Sequence, residues 1–305
     1  MSAIARRFLT RQSIFNALAI AGIGATLTMG GCDSMGPKHH YTHSMLMPHV
    51  VGSGVDVQSG NGSIVAFTTE RENVSIKFDL YGHDLDRLEL AVINAMRDGD
   101  DTLQVWVDWP GGKRQNGEGA SIELELPDTT NLTAQTSNGY ISIAGISGHA
   151  QLKTSNGSVT VENHDGTVYT DTSNGRVQVE HVSGSVEVYT SNGRVIITDA
   201  FGPIRAETSN GKVYASTMDG NPGPVRIRTS NGSVTLDLGD GFEGILKCDT
   251  SNGKVRLEGI GNASVIESSS KHVELQVGDS KEVSAVRTSN GSISVQERQP
   301  DISDG

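Results

Sequence analysis

The chain has 305 residues, with 24 basic and 36 acidic side chains, a formal net charge of −12, 37 Gly, 8 Pro and two Cys. That length suits one or two domains. So acidic a balance argues against a nucleic-acid partner and against a domain lying flat on an anionic membrane, and two cysteines are too few for a disulfide framework or a cysteine-based thiol or zinc constellation.

The first predicted element is a targeting segment. Arg6, Arg7 and Arg11 make a basic start, and "ALAIAGIGATLTMGG" (17–31) is an apolar stretch ending in small residues. It is shorter than the ~20 apolar residues that a spanning helix needs. Cys32 follows directly, behind Met29-Gly30-Gly31. This arrangement resembles the lipobox of bacterial lipoprotein precursors, which implies removal of residues 1–31, a lipid on the Cys32 thiol and a membrane anchor at the new N-terminus. "RRFLTR" bears a weak likeness to a twin-arginine export signal. Loss of residues 1–31 takes three Arg and no acid, leaving 21 basic against 36 acidic residues, a net charge of −15.

Residues 32–49 carry no clear β pattern and are expected to form a flexible tether. His39, His40, His43 and His49, with three Met nearby, are candidate ligands for Cu, Ni or Zn, although a polar linker explains the same residues more simply. Residues 50–130 read as strands of uneven spacing. "VDVQSGNGSIVAF" contains a degenerate corner at Ser59-Gly60-Asn61-Gly62, and "LELAVINAMRDGDDTLQVWVDW" predicts a hairpin over Asp98-Gly99. An irregular β region in front of a repeat is the natural N-terminal cap for its open edge.

Residues 131–297 are that repeat. The tetrapeptide TSNG starts at Thr136, Thr154, Thr172, Thr190, Thr208, Thr229, Thr250 and Thr288, in steps of 18, 18, 18, 18, 21, 21 and 38. Ser268-Ser269-Ser270-Lys271 reads as a worn copy that divides the last step. Two residues after each motif's Gly stands Ile or Val, as at Ile141, Val159, Val177, Val195, Val213, Val234, Val255 and Ile293. Apolar residues alternate with Ser, Thr, Gln, Lys, Arg or Glu on both sides of the motif, the period-2 mark of strands with one face buried. The predicted fold is all-β, a right-handed parallel β-solenoid of 18–21 residues per rung, with copies stacked in chain order. Nine rungs at ~4.8 Å make a rod on the order of 40 Å long. A disordered tail is expected over residues 298–305.

In this arrangement TSNG is a scaffold corner. Asn and Gly both tolerate the left-handed region that a tight turn favours. Stacked Asn side chains at Asn138, Asn156, Asn174, Asn192, Asn210, Asn231, Asn252 and Asn290 are expected to hydrogen-bond along the axis as a ladder. Repeated TSNGxVxV blocks behind a lipobox are similar to the putative-adhesin family of bacterial β-strand-repeat proteins, over roughly residues 50–297. The resemblance implies a β-solenoid, export or anchoring and an adhesin role; it supplies no catalytic residue and no cofactor.

Polysaccharide lyases and hydrolases also use β-helices, but general acid–base work takes paired groups in one place, and here outward positions change sign from rung to rung. Asp237, Asp240 and Glu243 gather in one turn, as a solvated acidic loop or a Ca²⁺ site. His164 falls in a turn where neighbouring copies carry Ile146 and Val182. The residue after each Gly forms an outward column that includes Arg176, Arg194, Lys212 and Lys254, with Arg256 two positions beyond. This basic stripe on an acidic rod suggests an anionic ligand, with Tyr140 and Tyr214 as stacking surfaces for sugars; a device against edge pairing explains the charges equally. The expected protein is therefore a non-enzymatic, lipid-anchored envelope module that binds envelope polysaccharide or another surface protein. A self-assembling envelope scaffold is the second reading, and a polysaccharide-active enzyme a remote third.

Overall fold

The structure, a computed structural model, describes residues 38–261 and 263–298. The expected signal segment, Cys32 and nearly all of the expected tail lie outside the described residues. What is described is a parallel β-solenoid with antiparallel additions at both ends. Each rung has a leading strand, the corner, and a trailing strand. The leading strands form one sheet and the trailing strands a second.

Alternation sets which side chains face inward. In the strand Val186–Thr190, Val186, Val188 and Thr190 are buried while Glu187 and Tyr189 are half-exposed. From Asn131 to Leu238 the leading strands hold register rung on rung, Thr154 pairing with Thr172, Thr172 with Thr190, Thr190 with Thr208 and Thr208 with Thr229, while the trailing strands shift by one residue between Ile197 and Ala200. In the trailing sheet Val159, Val177, Val195, Val213 and Val234 follow one another and are all buried. Each such side chain contributes ~1.5–3 kcal/mol against conformational entropy. The long strand Val159–Thr172 runs round the second turn and pairs in both sheets. Cys248 sits in the same core, where burial first, and then Asp249, push its thiol up to about 12, so it is no nucleophile.

Chain order and rung order part at both ends. The expectation of sequential stacking fails at the last copy, which is inserted between its two predecessors. Strand Val283–Thr288 pairs in parallel with both Val225–Thr229 and Gly244–Thr250, and Ile293–Glu297 pairs with both Val234–Leu238 and Val255–Glu258. The degenerate first copy is inserted likewise. Gly54–Ser59 lies between Leu103–Asp108 and Asn131–Thr136, and Ile64–Thr68 between Gly119–Leu126 and Ile141–Ala144.

The worn copy is not a rung. Ala263–Ser268 and His272–Val277 form an antiparallel hairpin, and the second strand runs antiparallel to Gly244–Thr250. Val273 and Leu275 are buried as expected of a core column, but Ile266 is 56% exposed. The turn still meets the last corner, since the Lys271 and Ser270 carbonyls accept from the Thr250 and Val255 N–H groups.

The expected tether is also corrected. His39–Pro48 is a strand, antiparallel to Asn73–Gly82, which in turn is antiparallel to Gly119–Leu126. Its inward side chains explain the docking: Met47 is buried, and Tyr41 and Met45 pack against the core. The hairpin over Asp98-Gly99 is present, joining Val92–Arg97 to Leu103–Asp108. Behind it, the short helix Leu85–Glu89 brings Arg87 onto Glu118, a carboxylate only 3% exposed, at 2.6 Å. Burial alone would raise the Glu118 carboxyl, but Arg87 and the Gln115 N–H hold it below the usual range.

Candidate binding faces beside the corner

The corner works through close approach rather than through left-handed backbone. None of the TSNG Asn or Gly residues has positive φ; the left-handed residues stand in the second turn, at Gly145, Asn163, His181 and Asp199 with φ of 68°, 51°, 53° and 56°. In the corner, a Cβ on Gly175 or Gly193 would lie 1.7 or 1.8 Å from the Gly carbonyl oxygen of the neighbouring rung. Only Gly lets the rungs come so near. The buried Thr uses the same carbonyl: Thr172 Oγ1 donates to Gly157 O at 3.1 Å and Thr208 Oγ1 to Gly193 O at 3.2 Å. Thr and Gly of TSNG are thus donor and acceptor of one inter-rung bond.

The Asn side chains stack in register. Asn156 donates through Nδ2 to Asn138 Oδ1, and the chain of bonds continues through Asn174, Asn192, Asn210 and Asn231, each at 2.8 Å. It then passes to Asn290 and ends at Asn252, again at 2.8 Å, following rung order rather than chain order. All these side chains are exposed to solvent. In the cap copy, Asn61 instead donates to the Glu118 carbonyl.

The basic stripe borders this ladder on the trailing sheet. Arg176, Arg194 and Lys212 occupy three consecutive rungs, with their carbonyls accepting from Val159, Val177 and Val195. They are followed by Ser233 and Ser292, and only then by Lys254. The insertion of the last copy therefore separates Lys254 and Arg256 from the other three. All five are exposed, and among the described residues none of their side chains makes an ion pair or hydrogen bond. Tyr140 stands two rungs from Arg176 and is 49% exposed. Tyr214 is half-buried and donates to Asp237 Oδ2 at 2.7 Å; burial first, then Asp237, push its hydroxyl up to about 12. That fixes its ring on the sheet.

Asp237 is buried against Tyr214 whereas Asp240 and Glu243 are exposed, so the acidic turn does not converge on one point. Among the described residues no three His, Cys, Asp or Glu are placed to hold a metal. Strand His39–Pro48 carries His39, His40 and His43; His40 Nδ1 bonds Asp79 at 3.0 Å, and His49 Nε2 lies 2.9 Å from Asp128 Oδ1. His164 is buried, its Nε2 on the Gly148 carbonyl at 3.0 Å, and burial lowers its pKa.

The leading sheet holds a second face that sequence reasoning passed over. Its two outward columns bring together Tyr169 and Tyr189, with ring centroids 5.6 Å apart. Lys153 lies over the first ring at 5.7 Å and Arg205 over the second at 5.6 Å. Arg205 also pairs with Glu207 at 2.7 Å. Beside these side chains runs a groove of about 370 Å³, walled by Asp171, Tyr189, Glu207 and Arg228 on one side and by corner serines on the other. The signal was present in the residue before each Thr, a column that runs Asp171, Tyr189, Glu207, Arg228, but its mixed chemistry hid it.

Similarity to solved structures is low in identity and broad in coverage. A "putative adhesin" from Bacteroides fragilis matches at 12% identity over 85% of this chain and 97% of its own, with a TM-score of 0.42. A "putative cell adhesion protein" from Clostridium sporogenes matches at 13% over 85% and 100%, with a TM-score of 0.24. A "putative adhesin" from Parabacteroides distasonis matches at 9% over 84% and 97%, with a TM-score of 0.38. No curated protein sequence matches. The stretch that holds the corners, both inserted rungs and the end hairpins is the one covered by the Toastrack DUF4097 family, residues 56–296, and the chain belongs to that family.

Proposed function

We propose that the protein is a non-enzymatic module of the bacterial envelope, anchored by a lipid on Cys32, that adheres to acidic polysaccharide along the basic stripe. One observation carries the reading: Arg176, Arg194 and Lys212 present three cations on consecutive rungs, ~4.8 Å apart, and among the described residues no carboxylate is paired to any of them. A linear polyanion matches such a row. The net charge of −15 without residues 1–31 opposes approach of an anion at low salt, so binding is weak, multivalent and lost as salt screens the contacts over ~8–10 Å.

Retention of residues 32–305 on heparin or alginate at low ionic strength tests it. The triple reversal Arg176→Glu, Arg194→Glu and Lys212→Glu is expected to abolish retention without lowering the melting temperature, because the side chains are exposed and unpaired. Lack of wild-type retention would leave the stripe as a solubility device. The anchor is tested separately: Cys32→Ala is expected to move the protein from the membrane fraction to the soluble or unprocessed one.

A scaffold role has one observation in its favour. Strand Val255–Glu258 is an edge of the trailing sheet, with Ile293–Glu297 as its ladder partner, and on the hairpin that ends the leading sheet Val265 and Ile266 are 62% and 56% exposed. Filaments that lengthen with concentration would support that role over adhesion.

A further inference from the structure

The groove on the leading sheet lies across the corner from the basic stripe and differs from it in chemistry. Its lining comes from four consecutive rungs, at residues 171–173, 189–191, 207–209 and 228–230, so it runs on the order of 14 Å along the axis at ~4.8 Å per rung. One wall repeats a serine hydroxyl at each rung. These hydroxyls are exposed, and among the described residues they make no side-chain hydrogen bond.

The other wall is mixed. Asp171 and Arg228 stand at opposite ends, and neither side chain makes a hydrogen bond or ion pair among the described residues. Glu207 is neutralised by Arg205. Tyr189 lies between, its half-exposed ring braced by Tyr169 and Arg205 and its hydroxyl donating to Glu187 at 3.2 Å. The wall therefore sums to no net charge, with a free acceptor at one end, a free donor at the other and a braced aromatic ring in the middle. A polyanion meets Asp171 at one end and a polycation meets Arg228 at the other. A polymer rich in hydroxyls and carrying no charge satisfies both, stacks on the ring and offers a hydroxyl to each serine.

We infer that this groove binds a linear, uncharged glycan lying along the rod axis, one sugar unit per rung over about four rungs. The rung spacing is close to the length of one pyranose in a β-1,4-linked chain, whose successive units are turned over, so each rung meets one sugar and like hydroxyls return to the serine wall at every second corner. A short occupant fills only part of such a site. Affinity then rises with each added unit until the four rungs are covered, and levels off.

Titration of residues 32–305 with β-1,4-linked glucose and N-acetylglucosamine oligomers, dimer to hexamer, reads this directly. The expected result is binding that strengthens up to the tetramer, gains little beyond it, and changes less than twofold between low and physiological salt. Tyr189→Ala is expected to weaken the tetramer at least tenfold. Because that ring packs on Tyr169, a second variant avoids the packing: Ser191→Trp obstructs the groove from an exposed position and is expected to give the same loss at an unchanged melting temperature. The triple reversal of the basic stripe is expected to leave binding intact, so the two sites fail independently. No binding of either series at millimolar concentration, or binding indifferent to Ser191→Trp, overturns the inference.

Discussion

Between Asn131 and Leu238 every rung lies on the one before it in the chain, whereas at residues 54–126 and 244–297 the neighbour in space is not the neighbour in sequence. The bonds themselves are the same in both regions. Asn290 and Asn252, brought together from 38 residues apart, make the 2.8 Å contact that Asn192 and Asn174 make from 18 apart. A translational repeat makes its copies interchangeable, so stacking chemistry alone does not choose their order. The ends choose it. An intact copy exposed at the terminus would leave open edges in both sheets, and terminal segments fray unless they are tied down. Placing the last intact copy one rung inside gives both of its strands two partners, and the outer leading strand is covered by the hairpin of Ala263–Ser268 and His272–Val277.

The largest expected effect follows from that order. Under sequential stacking, deletion of residues 283–305 would remove a dispensable end. In the inserted arrangement it removes an internal rung, with Val286, Ile293 and Val295 fully buried within it. Their burial alone is ~5–9 kcal/mol, and the rung 244–258 loses its parallel partners. The truncated protein is expected to be insoluble or to lose ordered structure back to about residue 225, as read by hydrogen exchange. A soluble truncation with rung 244–258 still protected would mean that the copies can close up in chain order.

The middle of the rod was legible because its signals are redundant. Period-2 alternation, the fixed step of 18 and the Gly spacing all point to one stacked architecture. The ends were not, since order among like copies leaves no local mark. The strand His39–Pro48 did leave one: Tyr41, His43, Met45 and Met47 alternate along it, yet His and Met together drew attention as ligands rather than as a docked edge. The role of Gly in TSNG was misread for a different reason. Asn-Gly is compatible with a left-handed turn and with close packing alike, and only the backbone distinguishes them. The leading-sheet groove was missed because its column mixes acid, aromatic and base, whereas like charges in a row are easy to see.

The corner separates the two roles that its Asn and Gly play. Gly193→Ala puts a methyl 1.8 Å from the Gly175 carbonyl oxygen, in a stack of rungs that has no room to move. The cost is expected to reach ~3 kcal/mol or more, the upper range for overpacking. Gly99→Ala, in the end hairpin where nothing lies within 4 Å, is expected to be neutral within ~0.5 kcal/mol. Asn192→Ala breaks two ladder bonds, but both partners are exposed and turn to water, so the loss is expected to stay near ~1 kcal/mol. Denaturant midpoints of the three variants give the ranking. A ladder variant as damaging as Gly193→Ala would show that the Asn side chains are less open to solvent than their exposure indicates.

The smallest effect is a pH dependence that runs in opposite directions in the two regions. In the middle, burial lowers the pKa of His164, so the unfolded chain takes up its proton more readily than the folded one. The stability it contributes is complete above its unfolded value of about 6.5 and is lost as pH falls from there towards the folded value. At the C-terminal end, His272 donates to Asp249 at 2.5 Å and that bond, with nearby carboxylates, raises its pKa. Its contribution is complete below about 6.5 and is lost as pH rises through the folded value. Native-state hydrogen exchange at pH 5.5 and 7.5, corrected for intrinsic rates, is expected to show the middle rungs better protected at the higher pH and the hairpin at the lower. His164→Val supplies the residue that the next rung carries at this position, Val182, and is expected to flatten the first trend while leaving the second. His272→Gln is expected to do the reverse. If both regions shift together in the wild type and neither variant separates them, protonation acts on the rod as a single unit and the contrast between middle and end does not extend to its electrostatics.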